Sequence, residues 1–251
     1  KAGHTVAMTG DGVNDVPALK EADCSIAMAA GSDAARQVSQ LVLLDSNFAS
    51  MPKIVAEGRR SINNIQRSAS LFLVKTIFSF VLTLVFLFLP KPYPFQPIQL
   101  TLISALCVGI PSFILALEPN KERISGRFIY RVIQKALPGG SAVALGVLLT
   151  VCLGPVLGLS EQQTSTVAVL ITAFNMFAVL FKTCLPFDWI RRALFWTMLG
   201  LFCAGFVIFG WFFGFTFLNL TMAVMLGCLI AICLPFMILA LKAVNYFIRK
   251  Q

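Results

Sequence analysis

Two hydrophobic rhythms divide this chain. Up to about residue 50 the apolar runs are short and broken by polar turns: Thr5-Val6-Ala7-Met8, Cys24-Ser25-Ile26-Ala27-Met28 and Leu41-Val42-Leu43-Leu44, the last ended by Asp45-Ser46-Asn47. Runs of this length bounded by turn residues read as buried strands. Val16 to Ala22 reads as a helix, and Gly31-Ser32-Asp33 opens another that runs to about Gln40. Ser32 or Asp33 caps it, because a side-chain oxygen there accepts from the first unpaired N–H groups. Short apolar strands alternating with helices predict a parallel α/β sheet, in which ligands bind at the C-terminal ends of the strands. A unit of about fifty residues buries too little surface to stand alone. Residues 1–50 are therefore expected to be half of a Rossmann-like domain.

From Met51 the rhythm changes to that of a long helix. Its first part, to residue 68, is amphipathic and carries Lys53, Glu57, Arg59, Arg60 and Arg67. At Ala69 it turns apolar and stays so for 21 residues, to Leu89. A helix of that length crosses about 30 Å of hydrocarbon. Such continuity suits a helix that passes rigid-body motion from a head to a bilayer, and equally a simple juxtamembrane anchor. Five more apolar segments follow, at about 98–117, 137–158, 164–184, 194–213 and 220–241, so 69–251 reads as an all-α bundle of six transmembrane helices.

Composition agrees. The 251 residues are 58% hydrophobic and 12% charged, with 23 Phe and a mean hydropathy of +0.84, outside the range of soluble domains. In so apolar a chain a net charge of +9 marks cytoplasmic loops rather than nucleic-acid binding. Lys121, Arg123, Arg127, Arg131 and Lys135 follow the second span. Lys182, Arg191 and Arg192 follow the fourth, and Lys242, Arg249 and Lys250 close the chain; the alternate loops hold only Lys91 and Glu161. The bias predicts a cytoplasmic head and C-terminus, with Trp189, Trp196 and Trp211 near span ends as interfacial aromatics. Seven Cys without CxxC spacing read as reduced, buried hydrophobes. Lys1 is not an initiator Met, and the chain is expected to begin inside a domain of a longer protein.

The candidate chemistry lies in Thr9-Gly10-Asp11-Gly12-Val13-Asn14-Asp15, between the first strand and the first helix. Gly10 and Gly12 flank Asp11, so the backbone can turn sharply and approach a ligand. Asp11 and Asp15 together supply hard oxygen at a strand end, which suits Mg²⁺ beside a phosphate. The plain alternative is a hairpin closed by Asp-Gly, which Pro17 at the start of the next helix disfavours. His4, the single histidine, reads as a bystander.

Thr9 to Leu19 closely resembles the T-G-D-G-V-N-D-A-P-A-L signature of P-type ATPases, members of the haloacid-dehalogenase (HAD) superfamily, with Val16 in place of Ala. The resemblance implies that Asp11 binds the catalytic Mg²⁺, that Asn14 and Asp15 hold the phosphorylated site together, and that ATP is bound mainly by upstream domains. The phosphorylated aspartate would lie in a D-K-T-G-T segment outside this chain. Asn63-Asn64 resembles the stalk of the fifth transmembrane helix of these pumps. Six spans after the phosphorylation domain match the subfamilies that move light cations, and Cys233-Leu234-Pro235 is similar to the last span of calcium pumps.

A transport site is expected where Gly109 and Pro111 interrupt the second span. Pro111 cannot donate to the Cys107 carbonyl, and freed carbonyls in a span coordinate cations where they line a cavity. Calcium pumps read T-D-G-L-P at this place; here Val108 replaces the acid, and Ser104 stands at the preceding asparagine position. Thr76 and Ser79 match the Asn and Glu ligands of the first of these spans, share a face with Thr83, and are joined as candidates by Asn175 with Thr172 on the fourth. No Asp or Glu falls inside the six apolar segments, which disfavours a two-calcium site and leaves room for one completed by the family's fourth helix. Lys75 is the charge deepest in an apolar run. Mid-membrane it costs about 2.5–3.5 kcal/mol, so it is either functional, as the built-in counter-charge known in potassium- and proton-coupled pumps, or snorkels to the cytosolic surface.

The expected protein is the C-terminal part of a bacterial, calcium-pump-like P-type ATPase of the plasma membrane. Its partners are a transported cation, the lipid bilayer and the upstream part of its own polypeptide, with no nucleic acid. Magnesium, potassium or proton are alternative cargoes. A membrane-anchored HAD phosphatase, or a secondary transporter with a regulatory head, are the alternatives in kind.

Overall fold

The computed structural model describes residues 3–120, 122–124 and 126–249, and the chain forms two compact units, residues 1–59 and 60–251. Lys121 and Lys250, two of the cations used above for orientation, lie outside the described residues.

The first unit holds a three-stranded parallel sheet in the order β1 (Ala7–Gly10), β2 (Cys24–Met28) and β3 (Leu41–Leu43). Ala7 aligns with Cys24 and Gly10 with Ala27, while Ile26 aligns with Leu41. Helix α1 (Val16–Glu21) has Pro17 in its first turn. Helix α2 (Asp33–Val38) is capped by Ser32, whose Oγ accepts from the Ala35 N–H at 3.2 Å. Leu19, Ala27 and Ala35 form a small core with Met8 and Val38 packed against it.

Two strand boundaries differ from the sequence reading. The first strand begins at Ala7 rather than Thr5 and takes in Thr9 and Gly10, because pairing with β2 continues through Gly10. The third stops at Leu43, where the Ser46 N–H turns back onto the Leu43 carbonyl at 3.0 Å.

Among the described residues, six helices are long and apolar enough to cross a membrane. Helix α3 (Met51–Phe88) is unbroken over 38 residues, about 57 Å at 1.5 Å per residue. The second span consists of α4 (Pro97–Ile103), a π-helical turn at Ser104–Gly109, and α5 (Ile110–Leu117). The others are α6 (Phe128–Val156), α7 (Glu161–Thr183), α8 (Trp189–Ile208) and α9 (Leu220–Arg249). Most outrun their apolar cores, since a helix continues into its polar flanks while backbone bonding lasts. Helix α8 instead ends before residue 213. The Phe215 N–H reaches back to the Gly210 carbonyl at 2.8 Å, and Gly214 has φ +68°, a left-handed conformation that suits glycine.

Small residues let the bundle close up. A Cβ on Gly140 of α6 would lie 2.6 Å from Cγ2 of Ile77 on α3, and one on Gly139 would lie 2.4 Å from Cγ2 of Val179 on α7. Asn63 and Asn64 also tie α3 to the end of the second span. Asn64 Nδ2 donates to the carbonyls of Ala116 and Glu118, each at 2.8 Å, and Asn63 Nδ2 donates to the Glu122 carbonyl at 2.9 Å.

Candidate functional site

In the first unit the chemistry is arranged by Asp15. One of its carboxylate oxygens, Oδ2, accepts from two backbone N–H groups, those of Asp11 at 3.1 Å and Gly12 at 3.0 Å. The carboxylate thus draws the loop round itself at the C-terminal end of β1, and its own lone pairs are engaged in doing so. Asp11 is exposed, and its side-chain oxygens accept no hydrogen bond from the described residues. One carboxylate builds the loop and leaves the other free.

Glycine is demanded at two points by approach distance. A Cβ on Gly10 would lie 2.6 Å from the Asp15 Cβ and 2.8 Å from its Oδ2. A Cβ on Gly31 would lie 2.6 Å from the Asp11 carbonyl oxygen and 2.9 Å from its Cα. The neighbouring Ser32 N–H donates to that carbonyl at 2.7 Å. Gly31 and Ser32 therefore hold the Asp11 backbone from the second crossover. Sequence reading used them only to start α2; the available signal was a glycine directly before an N-cap at the end of β2. Thr9 is half-buried in β1, and Asn14 is exposed in a 3-10 turn at Val13–Asp15.

In the membrane unit Lys75 Nζ donates to Ser104 Oγ at 2.7 Å, and Ser104 Oγ donates to the Leu100 carbonyl at 2.6 Å. The expected interruption by Gly109 and Pro111 takes the form of a π-turn rather than an unwound segment. The Ile110 N–H bonds to the carbonyl of Ala105, five residues back, and the surplus residue is absorbed just before Pro111, a geometry that recurs at functional sites. Lys75 is thus pinned to the first residue of the π-turn.

The remaining candidates do not all join it. Thr76 is exposed and bonds its hydroxyl to the Phe72 carbonyl at 3.2 Å, while Ser79 is half-buried. Cys107 is fully buried in the apolar core. Asn175 is also fully buried and donates to the Ile171 carbonyl at 2.9 Å, but its Oδ1 has no partner among the described residues. Its surroundings are α6 and α9: a Cβ on Gly146 would come within 3.0 Å of Cys233 Sγ and 3.6 Å of Asn175 Nδ2. Lys75 and Ser104 form one locus, and Asn175 stands in another.

Sequence reading also missed a buried ion cluster. Glu118, at the end of the second span, accepts from Arg67 Nη1 at 2.6 Å and from Arg191 Nε at 2.7 Å, with all three side chains about one-tenth exposed. The single acid between an apolar span and a basic loop was its only trace.

Six membrane-length helices and a small parallel α/β unit carrying a free carboxylate at a strand end define an integral membrane protein with an α/β head. Comparison with known proteins gives the family. The chain is 42% identical over 209 residues to a probable cation-transporting ATPase of Streptococcus pneumoniae, covering 80% of this chain and 27% of that one. It is 44% identical over 209 residues to a calcium-transporting ATPase of Mycobacterium tuberculosis, covering 76% and 26%. A calcium-transporting ATPase of Bacillus subtilis is 31% identical over 185 residues. No family model matches. The chain matches the C-terminal region of these bacterial P-type ATPases, which are named for cation or calcium transport, and spans about a quarter of their length.

Proposed function

We propose that the chain is the C-terminal part of an ATP-driven cation pump working through an aspartyl phosphate, with calcium as the cargo. Residues 1–50 are read as the C-terminal half of a HAD phosphorylation domain, 51–68 as a stalk, and 69–251 as the membrane domain. The observation that carries the reading is the division of labour in the Thr9–Asp15 loop, where Asp15 builds the backbone and Asp11 is left free at the sheet edge.

That arrangement fits Mg²⁺, which takes one or two protein carboxylates and completes its shell with water and phosphate oxygens. When bound, the ion offsets charge on the phosphoryl oxygens. The chain's own groups do the positioning. Asp15 fixes the N–H groups of Asp11 and Gly12, the Ser32 N–H holds the Asp11 carbonyl, and the exposed Asn14 amide is available to a phosphoryl oxygen. ATP itself is assigned to upstream domains.

Calcium is favoured because relatives at 44% and 31% identity are named calcium-transporting ATPases. The second reading, a monovalent cation such as potassium or proton, rests on the Lys75–Ser104 hydrogen bond. It places an ammonium where a divalent-ion site would gather acids. A membrane-anchored phosphatase is not favoured, since these relatives are named as transporters. The positive loops support a head and C-terminus in the cytoplasm, and the bacterial relatives support a bacterial plasma membrane.

The test is Asp11→Asn in the full-length protein. The amide is a poor substitute for a charged metal ligand, so Mg²⁺-dependent ATP turnover should vanish while expression is unchanged. Near-normal turnover would sink the assignment. Phosphorylation from labelled ATP, measured across calcium, magnesium and potassium, separates the two cargo readings.

A further inference from the structure

The membrane unit contains a cavity of about 860 Å³ bordered by α3, α6, α7, α8 and α9, large enough for a sizeable ligand. Its two ends differ chemically. At one end are Arg67, Arg131, Lys135 and Lys182, with Glu122 the single acid among the lining residues. Lys135 lies in the electrostatic field of the other three cations, and neither Lys135 nor Lys182 makes a salt bridge to a described residue. Arg67 already shares Glu118 with Arg191, whose Nε also lies 3.8 Å from the exposed carboxylate of Asp188, so Arg67 itself has only a share of one carboxylate. At the other end the walls are apolar, formed by Phe174, Phe177, Leu234 and Met237.

A second observation points to a ligand. Gln66 lines the same cavity, is only 5% exposed, and its Nε2 has no hydrogen-bond partner among the described residues. A buried N–H group left unpaired costs free energy that an acceptor would recover. A small soluble anion would satisfy the cations and Gln66 but leave the apolar walls uncovered. An apolar segment of protein would cover the walls but bury the lysines and Gln66 without partners. An anionic amphiphile does both.

We propose that this cavity is a binding site for one anionic phospholipid. The headgroup phosphate sits among Arg67, Lys135, Lys182 and Gln66, and an acyl chain lies along the Phe174–Phe177 and Leu234–Met237 walls. Lys135 lies in the opening turns of α6 and Lys182 in the last turn of α7, at the same end of the bundle, so the lipid comes from the leaflet on that side of the membrane. The site is separate from the Lys75–Ser104 locus and does not depend on the catalytic reading.

The experiment uses the purified full-length protein and a phosphatidylglycerol with a photoactivatable acyl chain, with labelled peptides read by mass spectrometry. Labelling should fall on α7 and α9 around Phe174–Phe177 and Leu234–Met237. Unlabelled phosphatidylglycerol should compete; phosphatidylcholine and inorganic phosphate should not. Each of Lys135→Gln and Lys182→Gln should weaken retention about five-fold, as expected for one surface cation facing an anionic lipid. Both lysines are exposed, so folding should survive, and retention of phosphatidylcholine serves as the control. Gln66→Leu, which fills the same space without a donor, should also reduce retention. Equal competition by phosphatidylcholine, or retention unchanged in the double lysine variant, overturns the proposal. Displacement by inorganic phosphate alone means a soluble-anion site and overturns it too. So does cross-linking of the cavity walls to an upstream segment of the same polypeptide in place of the lipid.

Discussion

Asp15 accepts two backbone hydrogen bonds through one oxygen, and removing that oxygen should loosen the loop without touching the free carboxylate of Asp11. Hydrogen bonds to a charged group contribute about 1.5–3 kcal/mol each. Asp15 is half-buried, and solvent screening brings the pair toward the low end, about 2–3 kcal/mol in all. At 1.4 kcal/mol per factor of ten, Asp15→Ala should speed amide exchange at Asp11 and Gly12 about thirty- to a hundred-fold. Asp15→Asn keeps an acceptor oxygen in place but makes both bonds neutral. About half the effect should remain, since charge-assisted bonds are roughly twice as strong, and exchange should rise several-fold. Asp11→Asn removes neither bond and should leave both amides protected while turnover is lost. Hydrogen-exchange mass spectrometry on full-length protein, paired with phosphorylation assays, separates the two aspartates. If Asp15→Ala leaves exchange of the Asp11–Gly12 segment unchanged, the loop is held by something other than this carboxylate and the division of labour is wrong.

Four further outcomes are expected. Glu118→Gln leaves Arg67 and Arg191 facing each other without their shared anion and should destabilise the membrane unit by about 3–5 kcal/mol; a thermal midpoint in detergent equal to wild type would refute this. Lys75→Met keeps the alkyl stem but removes the charge bonded to Ser104, so ion-dependent phosphorylation should show higher apparent cation affinity or relaxed selectivity. Pro111→Ala restores an N–H that can rejoin the helix, and it should weaken ion dependence. An unchanged ion dependence in Lys75→Met marks the lysine as an anchor only. Ser50→Ala should raise the carboxyl pKa of Asp45, which the Ser50 hydroxyl and then the Asn47 backbone N–H hold below the usual range. Because the folded value is depressed, the stabilisation is complete above about pH 4 and is lost as pH falls through the lowered value. A titration of Asp45 that is the same in both proteins would exclude the hydroxyl as its cause.

What was legible in the chain was what repeats locally. Alternating short apolar runs and turns gave the parallel sheet, and six apolar stretches gave six membrane-length helices, because each signal is spread over many residues. The Thr9–Asp15 loop was legible because glycine and aspartate at that spacing have few other uses. The resemblance assigns Mg²⁺ to Asp11 and a holding role to Asp15, but the two are the same residue type, and the means by which Asp15 builds the loop is visible only in the hydrogen bonds to its Oδ2. The role of Gly31 was hidden for a related reason. The contact that demands it lies 20 positions away, on the Asp11 carbonyl, and no periodicity records a close approach between two loops.

The membrane unit shows the same limit in its polar side chains. Thr76, Ser79 and Ser104 were grouped by their match to ligand positions of calcium pumps, Cys107 by its carbonyl facing Pro111, and Asn175 as a polar residue of the fourth span, yet none of these signals fixes the direction of a side chain. Thr, Ser and Asn in a helix readily bond a carbonyl of the preceding turn, and here Thr76, Ser104 and Asn175 each do so. That bond answers the cost of a polar group in a span without a ligand, so it does not distinguish a transport residue from a self-satisfied one. Two groups stand apart. Lys75 has no such local solution and reaches across to another helix, and Asn175 keeps one buried oxygen unpaired after its donor is used. The first is an ammonium and repels a cation; the second is a neutral acceptor and attracts one. Opposed in sign and set in separate surroundings, they are better read as two determinants than as one ligand shell, and an account of ion selectivity has to explain both.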